Sequence, residues 1–185
     1  MLLLIGLGNL GQEFENTRHN IGFKLIDYLV NSYNLKKMSN SFKSTLYKGV
    51  ILNYNVILAK PGTMMNCSGE AVRLIKKFYK ISAENIFIFH DELDLELSKV
   101  KFKFAGSSAG HNGIKNIDHN IGNKYYRIRI GIKDLNKKII ANKYVLSNFS
   151  ISEEKIIKNK IIQIENNLKY ILKKDIINFM NEINK

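Results

Sequence analysis

A run of apolar residues from Leu2 to Leu7, closed by glycines and too short for a helix, can be hidden from water only as a strand covered on both faces. A second such run, Ile86 to Phe89, stops as abruptly in His90, Asp91, Glu92, Leu93 and Asp94, and so reads as a central strand delivering carboxylates at its C-terminal end. Between the runs lie stretches of helical period. Ile21, Leu25, Tyr28 and Leu29 place a helix over 21–33, and Ala71, Val72, Ile75 and Phe78 place another over 68–79. Residues 45–52 and 56–59 read as a hairpin around Asn53, Tyr54 and Asn55, followed by Pro61 in a loop that ends at Asn66. Strands alternating with helices, plus a hairpin, predict an α/β fold: one domain over 1–185, with a twisted, mixed, largely parallel sheet flanked by helices.

Two further segments carry charge in a regular way. Lys99, Lys101 and Lys103 alternate with Val100, Phe102 and Phe104, and Arg127, Arg129 and Lys133 are interleaved with Ile128, Ile130 and Ile132. Each predicts a strand with one apolar and one basic face, the basic faces turned outward together. Beyond them Ser150 and Glu153 form a capping-box pair, and Ile157, Ile161, Ile164, Leu168 and Ile171 continue as one long amphipathic helix packed across the sheet.

The basic strands belong to a wider excess. The chain has 29 Lys and Arg against 16 Asp and Glu, and the first 150 residues hold 22 of the basic and 11 of the acidic side chains. A folded body this cationic favours a polyanion, nucleic acid or an acidic membrane surface, although the abundance of Lys, Asn and Ile also fits an AT-rich coding bias. The single Cys67 excludes an internal disulfide, and no Cys/His spacing suggests a structural zinc site. No apolar stretch approaches the length of a membrane span or a signal-peptide core, so a cytoplasmic protein without a membrane partner is expected.

Gly6, Gly8 and Gly11 match the GxGxxG pattern of dinucleotide sites. The pattern also needs a helix opening at the glycines and an acid closing a second strand. Here a loop runs on through Gln12, Phe14, Asn16 and Arg18, and Asp27 lies inside the predicted helix, so a tight turn that brings the backbone close to something else is the better reading. Loops after successive strands bring forward Asn9, Asn66 and Asp91, with His19 and Asn20 on the continuation of the first and His111 and Asn112 between glycines. This set has a general base in His19, a carboxylate in Asp91 and several neutral amides, and it lacks an obvious nucleophile. Ser68 sits where a helix N-cap should be, and Cys67 reads as a packed small side chain. The pattern fits base-activated water attacking an ester rather than covalent catalysis. Singly, these residues are equally ordinary as surface histidines and turn formers.

The ordered motifs go further. Gly6 to Phe23 (GLGNLGQEFENTRHNIGF), Lys60 to Val72 (KPGTMMNCSGEAV), His90 to Leu95 (HDELDL), Ala109 to Gly113 (AGHNG), Arg127 to Ile132 (RIRIGI) and the KYVLSNF segment ending at Phe149 resemble the successive signatures of the bacterial peptidyl-tRNA hydrolase family. The resemblance implies a monomeric hydrolase that needs no metal or organic cofactor and cleaves the ester between a peptide and the 3′ end of tRNA. By the same resemblance His19, Asp91 and Asn66 are catalytic, and Asn9, Phe14, Met65, Asn66, His111 and Asn112 bind the substrate. It also implies that Lys101, Lys103 and Arg129 hold a phosphate of the acceptor stem. Leu10, Phe14, Glu96 and Ala109 depart from the family pattern, where proline, tyrosine, proline and glycine are usual. Leu10 removes a fixed φ angle from the loop that carries Asn9. Two other classes stay open on the residues alone: a noncatalytic RNA-binding module that uses the basic strands, and a dinucleotide-dependent oxidoreductase.

Overall fold

The N-terminal apolar run is the middle of the sheet. In the computed structural model, which describes residues 1–135 and 139–185, the strands are β1 (Leu2–Gly6), β2 (Lys36–Lys37), β3 (Ser44–Ile51), β4 (Tyr54–Pro61), β5 (Ile86–Glu96), β6 (Val100–Phe104) and β7 (Tyr126–Lys133). The helices are α1 (Ile21–Ser32), α2 (Ser68–Phe78), α3 (Asn112–Ile121), α4 (Ala141–Val145), α5 (Ile151–Asn166), α6 (Leu168–Leu172) and α7 (Ile176–Ile183). The sheet runs in the order β2-β3-β4-β1-β5-β7-β6. Its four inner strands β4, β1, β5 and β7 are parallel, and antiparallel neighbours complete both edges.

Both faces of β1, of β5 up to Phe89 and of the middle of β4 are buried, which is why those runs do not alternate, whereas β7 does. Leu2, Leu4, Val56, Leu58, Phe87 and Phe89 face a core closed by α1 and by α5 to α7. Leu3, Ile5, Ile57, Ala59, Ile86 and Ile88 face a second core closed by α2 and α3. The first glycine of the N-terminal pattern works as a spacer: a Cβ on Gly6 would collide with the Gly22 carbonyl, and one on Gly22 with the Leu7 amide and the Phe89 carbonyl. The two glycines let the start of α1 lie directly on the ends of β1 and β5, which is close packing of helix on strand and not a phosphate cradle.

Several boundaries differ from the sequence reading. The hairpin turns at Leu52 and Asn53, both at positive φ (46° and 68°), so Tyr54 and Asn55 already belong to β4. Pro61 is the last residue of that strand, paired with Ser44, and not a loop residue. The carboxylates after Phe89 lie within β5, which overhangs β1 and pairs onward with β7. Phe78 leaves the apolar stripe of α2, is 63% exposed and packs against Phe42. Cys67, half-buried, occupies the N-cap position of α2, while the Ser68 hydroxyl donates to the Met65 carbonyl. The C-terminal helix keeps its capping box but breaks at Asn167 and again where Lys174 takes φ 61° and Asp175 caps α7. The Asn184 side chain then binds both backbone groups of Val100 and covers the β6 edge.

Candidate active site

The catalytic candidates meet beyond the C-terminal end of β1, against the part of β5 that overhangs it, on the edge where parallel sheets usually bind ligands. His19 lies in a single 3-10 turn, Arg18–Asn20, directly before α1. Its Nδ1 stands 2.8 Å from Oδ1 of Asp91. Asp91, 2% exposed, takes His111 Nε2 on the same oxygen at 3.0 Å. Burial alone would raise the Asp91 carboxyl, but the attraction of His111 and His19 and the hydrogen bonds they donate outweigh it and hold the group far below the usual carboxylate range.

Tautomers follow from the partners of each ring. His111 caps α3, its Nδ1 accepting the Ile114 amide at 3.3 Å, so its proton sits on Nε2 and is donated to Asp91. His19 points Nδ1–H at the same carboxylate, which leaves its Nε2 lone pair free of any bond to the described residues. Behind them His90 donates from Nδ1 to the Asp91 carbonyl at 2.7 Å and packs edge-on to the His111 ring. Burial first, then the neighbouring His111, holds His90 well below the ordinary imidazole range, so it stays neutral.

Asn9 is fixed by a clamp the sequence reading did not assign. Its amide donates to Oδ1 of Asn20 at 2.8 Å, and Nδ2 of Asn20 donates back to the Asn9 carbonyl at 2.9 Å. The Asn9 side-chain oxygen accepts the Met65 amide at 2.8 Å and so places the Met65–Cys67 turn that presents Asn66. Leu10, in the position of the missing proline, is half exposed, and this clamp rather than a ring fixes the loop.

Two adjoining cavities share His19, Asn112, Asn142 and Val145. One, of about 250 Å³, is completed by Asn9, Met64, Met65, Asn66 and Leu146. The other, of about 170 Å³, reaches Asp91, Glu92 and His111. His19, Asp91, Asn9, Met65, Asn66, His111 and Asn112 are therefore brought together as expected from sequence. Phe14 is not: it is half-buried on the Gln12–Phe14 turn, lines neither cavity, and engages Thr17 through its carbonyl.

Lys101, Lys103 and Arg129 also lie outside the cavities. Register sets Lys101 beside Arg129 and Lys103 beside Arg127. The lysines are exposed, but the basic face does not simply point to solvent. Arg127 is 3% exposed and donates to the Ser107 and Ala105 carbonyls, and Arg129 Nε is held 2.7 Å from Oε2 of buried Glu92. Glu92 thereby joins the basic edge to the second cavity. Residues missed from sequence are thus Asn20, Glu92, His90 and the wall formed by Asn142, Val145 and Leu146. Asn20 carried a signal in its place beside His19, as did His90 and Glu92 in flanking Asp91, and Val145 and Leu146 in the KYVLSNF segment, but none of these gave the contact it makes.

Ligand atoms of His19, Asp91 and His111 lie within 4.8 Å of one another and could reach a metal ion, but a cation there would have to replace both hydrogen bonds to Oδ1. A carboxylate-oriented imidazole opening on a cavity with amide side chains, at the carboxyl edge of a parallel sheet, is the arrangement of a hydrolase that works without a protein nucleophile. The chain belongs to the peptidyl-tRNA hydrolase family, whose sequence model matches residues 3–185. It is 45% identical over 185 residues to the peptidyl-tRNA hydrolase of Rickettsia prowazekii, covering 99% of this chain and 100% of that one. Over 171 residues it is 49% identical to that of Aliarcobacter butzleri, covering 89% and 91%. The crystal structure of peptidyl-tRNA hydrolase from Acinetobacter baumannii superposes with a TM-score of 0.92 at 34% identity, covering 100% of this chain and 94% of that one.

Proposed function

We propose that this protein hydrolyses the ester joining a peptide to the 3′-terminal ribose of tRNA, with His19 as general base. The observation that carries the reading is the Nδ1 contact of His19 to Asp91, which leaves Nε2 open to the cavity lined by Asn9, Asn66 and Asn112. Nε2 takes a proton from water as the oxygen attacks the ester carbonyl. Asp91 stabilises the imidazolium that forms, and the ribose oxygen leaves with a proton. Asn66 donates its amide to the water or the developing oxyanion, a contact whose loss costs roughly 3 kcal/mol in comparable sites. Asn9, Met65 and Asn112 line the substrate cavity, and amide donors directed at a peptide backbone suit cleavage that ignores peptide sequence. His111 supports Asp91 from the cavity side. A monomer acting in the cytoplasm is the setting proposed; among the described residues no helix is long and apolar enough to cross a membrane. Incubated with peptidyl-tRNA in EDTA, the protein should release free tRNA and intact peptide. Retention of the ester would leave only RNA binding, and cleavage abolished by EDTA would assign the cluster at Asp91 to a metal.

The basic edge fits a phosphate of the acceptor stem: Lys101, Lys103 and the terminal nitrogens of Arg129 share one sheet face beside the cavity that contains Glu92. Lys103→Ala should raise KM for full peptidyl-tRNA and flatten its salt dependence by about one unit of slope at most, with kcat largely kept. Arg129→Ala should do the same and also leave Glu92 without its partner. Lys103→Ala should leave cleavage of a peptide esterified to a single nucleoside unchanged; equal damage to that substrate would remove the phosphate contact from the reading.

A further inference from the structure

One wall of the cavities is α4, and hydrophobic burial holds it only weakly: Tyr144 and Val145 pack against the core but are partly buried, none of its five residues is fully buried, and one turn of helix is not stable alone. What fixes it is Arg18, the residue before His19. Arg18 is 3% exposed, with its guanidinium carbon 4.3 Å from the centre of the Tyr144 ring and 4.8 Å from that of Phe149. Its Nη2 meets Glu153 at 2.8 Å, its Nε reaches the Ser147 hydroxyl at 3.3 Å, and its Nη1 is buried with no partner. Glu153 also closes the capping box of α5 by accepting the Ser150 amide, and the Tyr144 hydroxyl donates to the Ile132 carbonyl while accepting the Asp134 amide. One cation thus ties together the start of α5, the end of β7 and the helix that supplies Asn142, Val145 and, just past its end, Leu146 to the cavities.

We infer that Arg18 is a positioning residue for the substrate wall, setting the distance between α4 and the catalytic imidazole. It acts through Tyr144. His19 itself is held by other means, Asp91 on one side and the Asn20–Asn9 clamp and Thr17–Asn148 bridge in the backbone around it, so the imidazole keeps its place when the Arg18 side chain is altered. A planar guanidinium is needed, because a lysine ammonium keeps the charge for Glu153 but cannot stack between two rings and reach Ser147 together.

This inference rests on the hydrolase reading, and one series separates the two. Steady-state cleavage of a peptide esterified to a single nucleoside is measured for wild type, Arg18→Lys and Tyr144→Phe, with thermal melting of each. No cleavage by wild type defeats the hydrolase reading. If wild type cleaves, Arg18→Lys should raise KM about tenfold, the scale of one lost stacked cation, while kcat and its pH dependence stay near wild type. A folded Arg18→Lys protein with unchanged KM, or one that loses kcat with a displaced pH profile, overturns the positioning role. Should Arg18→Lys fail to fold, Tyr144→Phe decides: it keeps the ring sandwich but releases α4 from β7, and it should raise KM with kcat kept. An unchanged KM in that variant overturns the inference.

Discussion

His19→Ala should lower the turnover of peptidyl-tRNA by about 10² to 10⁴, the usual contribution of a general base, while affinity for the uncleaved substrate changes little. The separation follows from the position of Nε2, which opens into the cavity without bonding any described residue. Removing the ring takes away the proton acceptor but leaves the amides and the basic edge in place. Single-turnover rates with enzyme in excess, beside binding measured on a slowly cleaved substrate, resolve the two quantities. Near-normal hydrolysis by the variant would take His19 out of the chemistry.

Asp91→Asn should act in the same direction and on a comparable scale, about 10² to 10⁴ in turnover. Two imidazole N–H groups converge on Oδ1, and an amide serves them badly in either orientation. With its oxygen toward the rings it lacks the charge that stabilises the imidazolium. With its NH₂ toward them it forces Nδ1 of His19 to accept and moves the His19 proton to Nε2, the atom that must take one from water. Because the Asp91 carboxyl is held far below the usual range, it stays ionised from pH 5 to pH 8 in the wild type, so a loss of rate on acidification does not arise from that group. Melting curves for the variant control for the buried site it disturbs.

Local pattern carried most of the fold. The apolar runs that became β1 and β5 and the stripes that became α1 and α2 are legible because burial on both faces, or on one, imposes its own period. Helix α3 was not foreseen, since glycine and asparagine dilute the apolar spacing of Ile114, Ile117 and Ile121; it forms because Ile114 and Ile117 enter the core and His111 caps it. Phe78 has the right spacing for the core, but it lies in the last turn of α2, where Phe42 covers it only in part.

At the site, sequence placed His19, Asp91, Asn9, Asn66 and Asn112 on neighbouring loops and strand ends, because the ends of parallel strands share an edge. It could not give the contact of His111 with Asp91, which depends on how α3 docks. Nor could it give the pairing of Arg129 with Glu92, which depends on β5 and β7 lying in register at His90 and Arg129. Alternation also assigned Arg127 to a face without assigning its depth. The backbone carbonyls of Ala105 and Ser107 bind and cover it.

The most direct test of base-activated water is an acid-quenched single turnover of peptidyl-tRNA by the wild-type protein in EDTA, repeated from pH 5 to pH 8. The expected result is a rate that falls toward acid, because an imidazole base must be neutral to accept a proton, with no peptide attached to the protein at any quench time. A rate independent of pH across that range, or a peptide covalently bound to the protein, would contradict it.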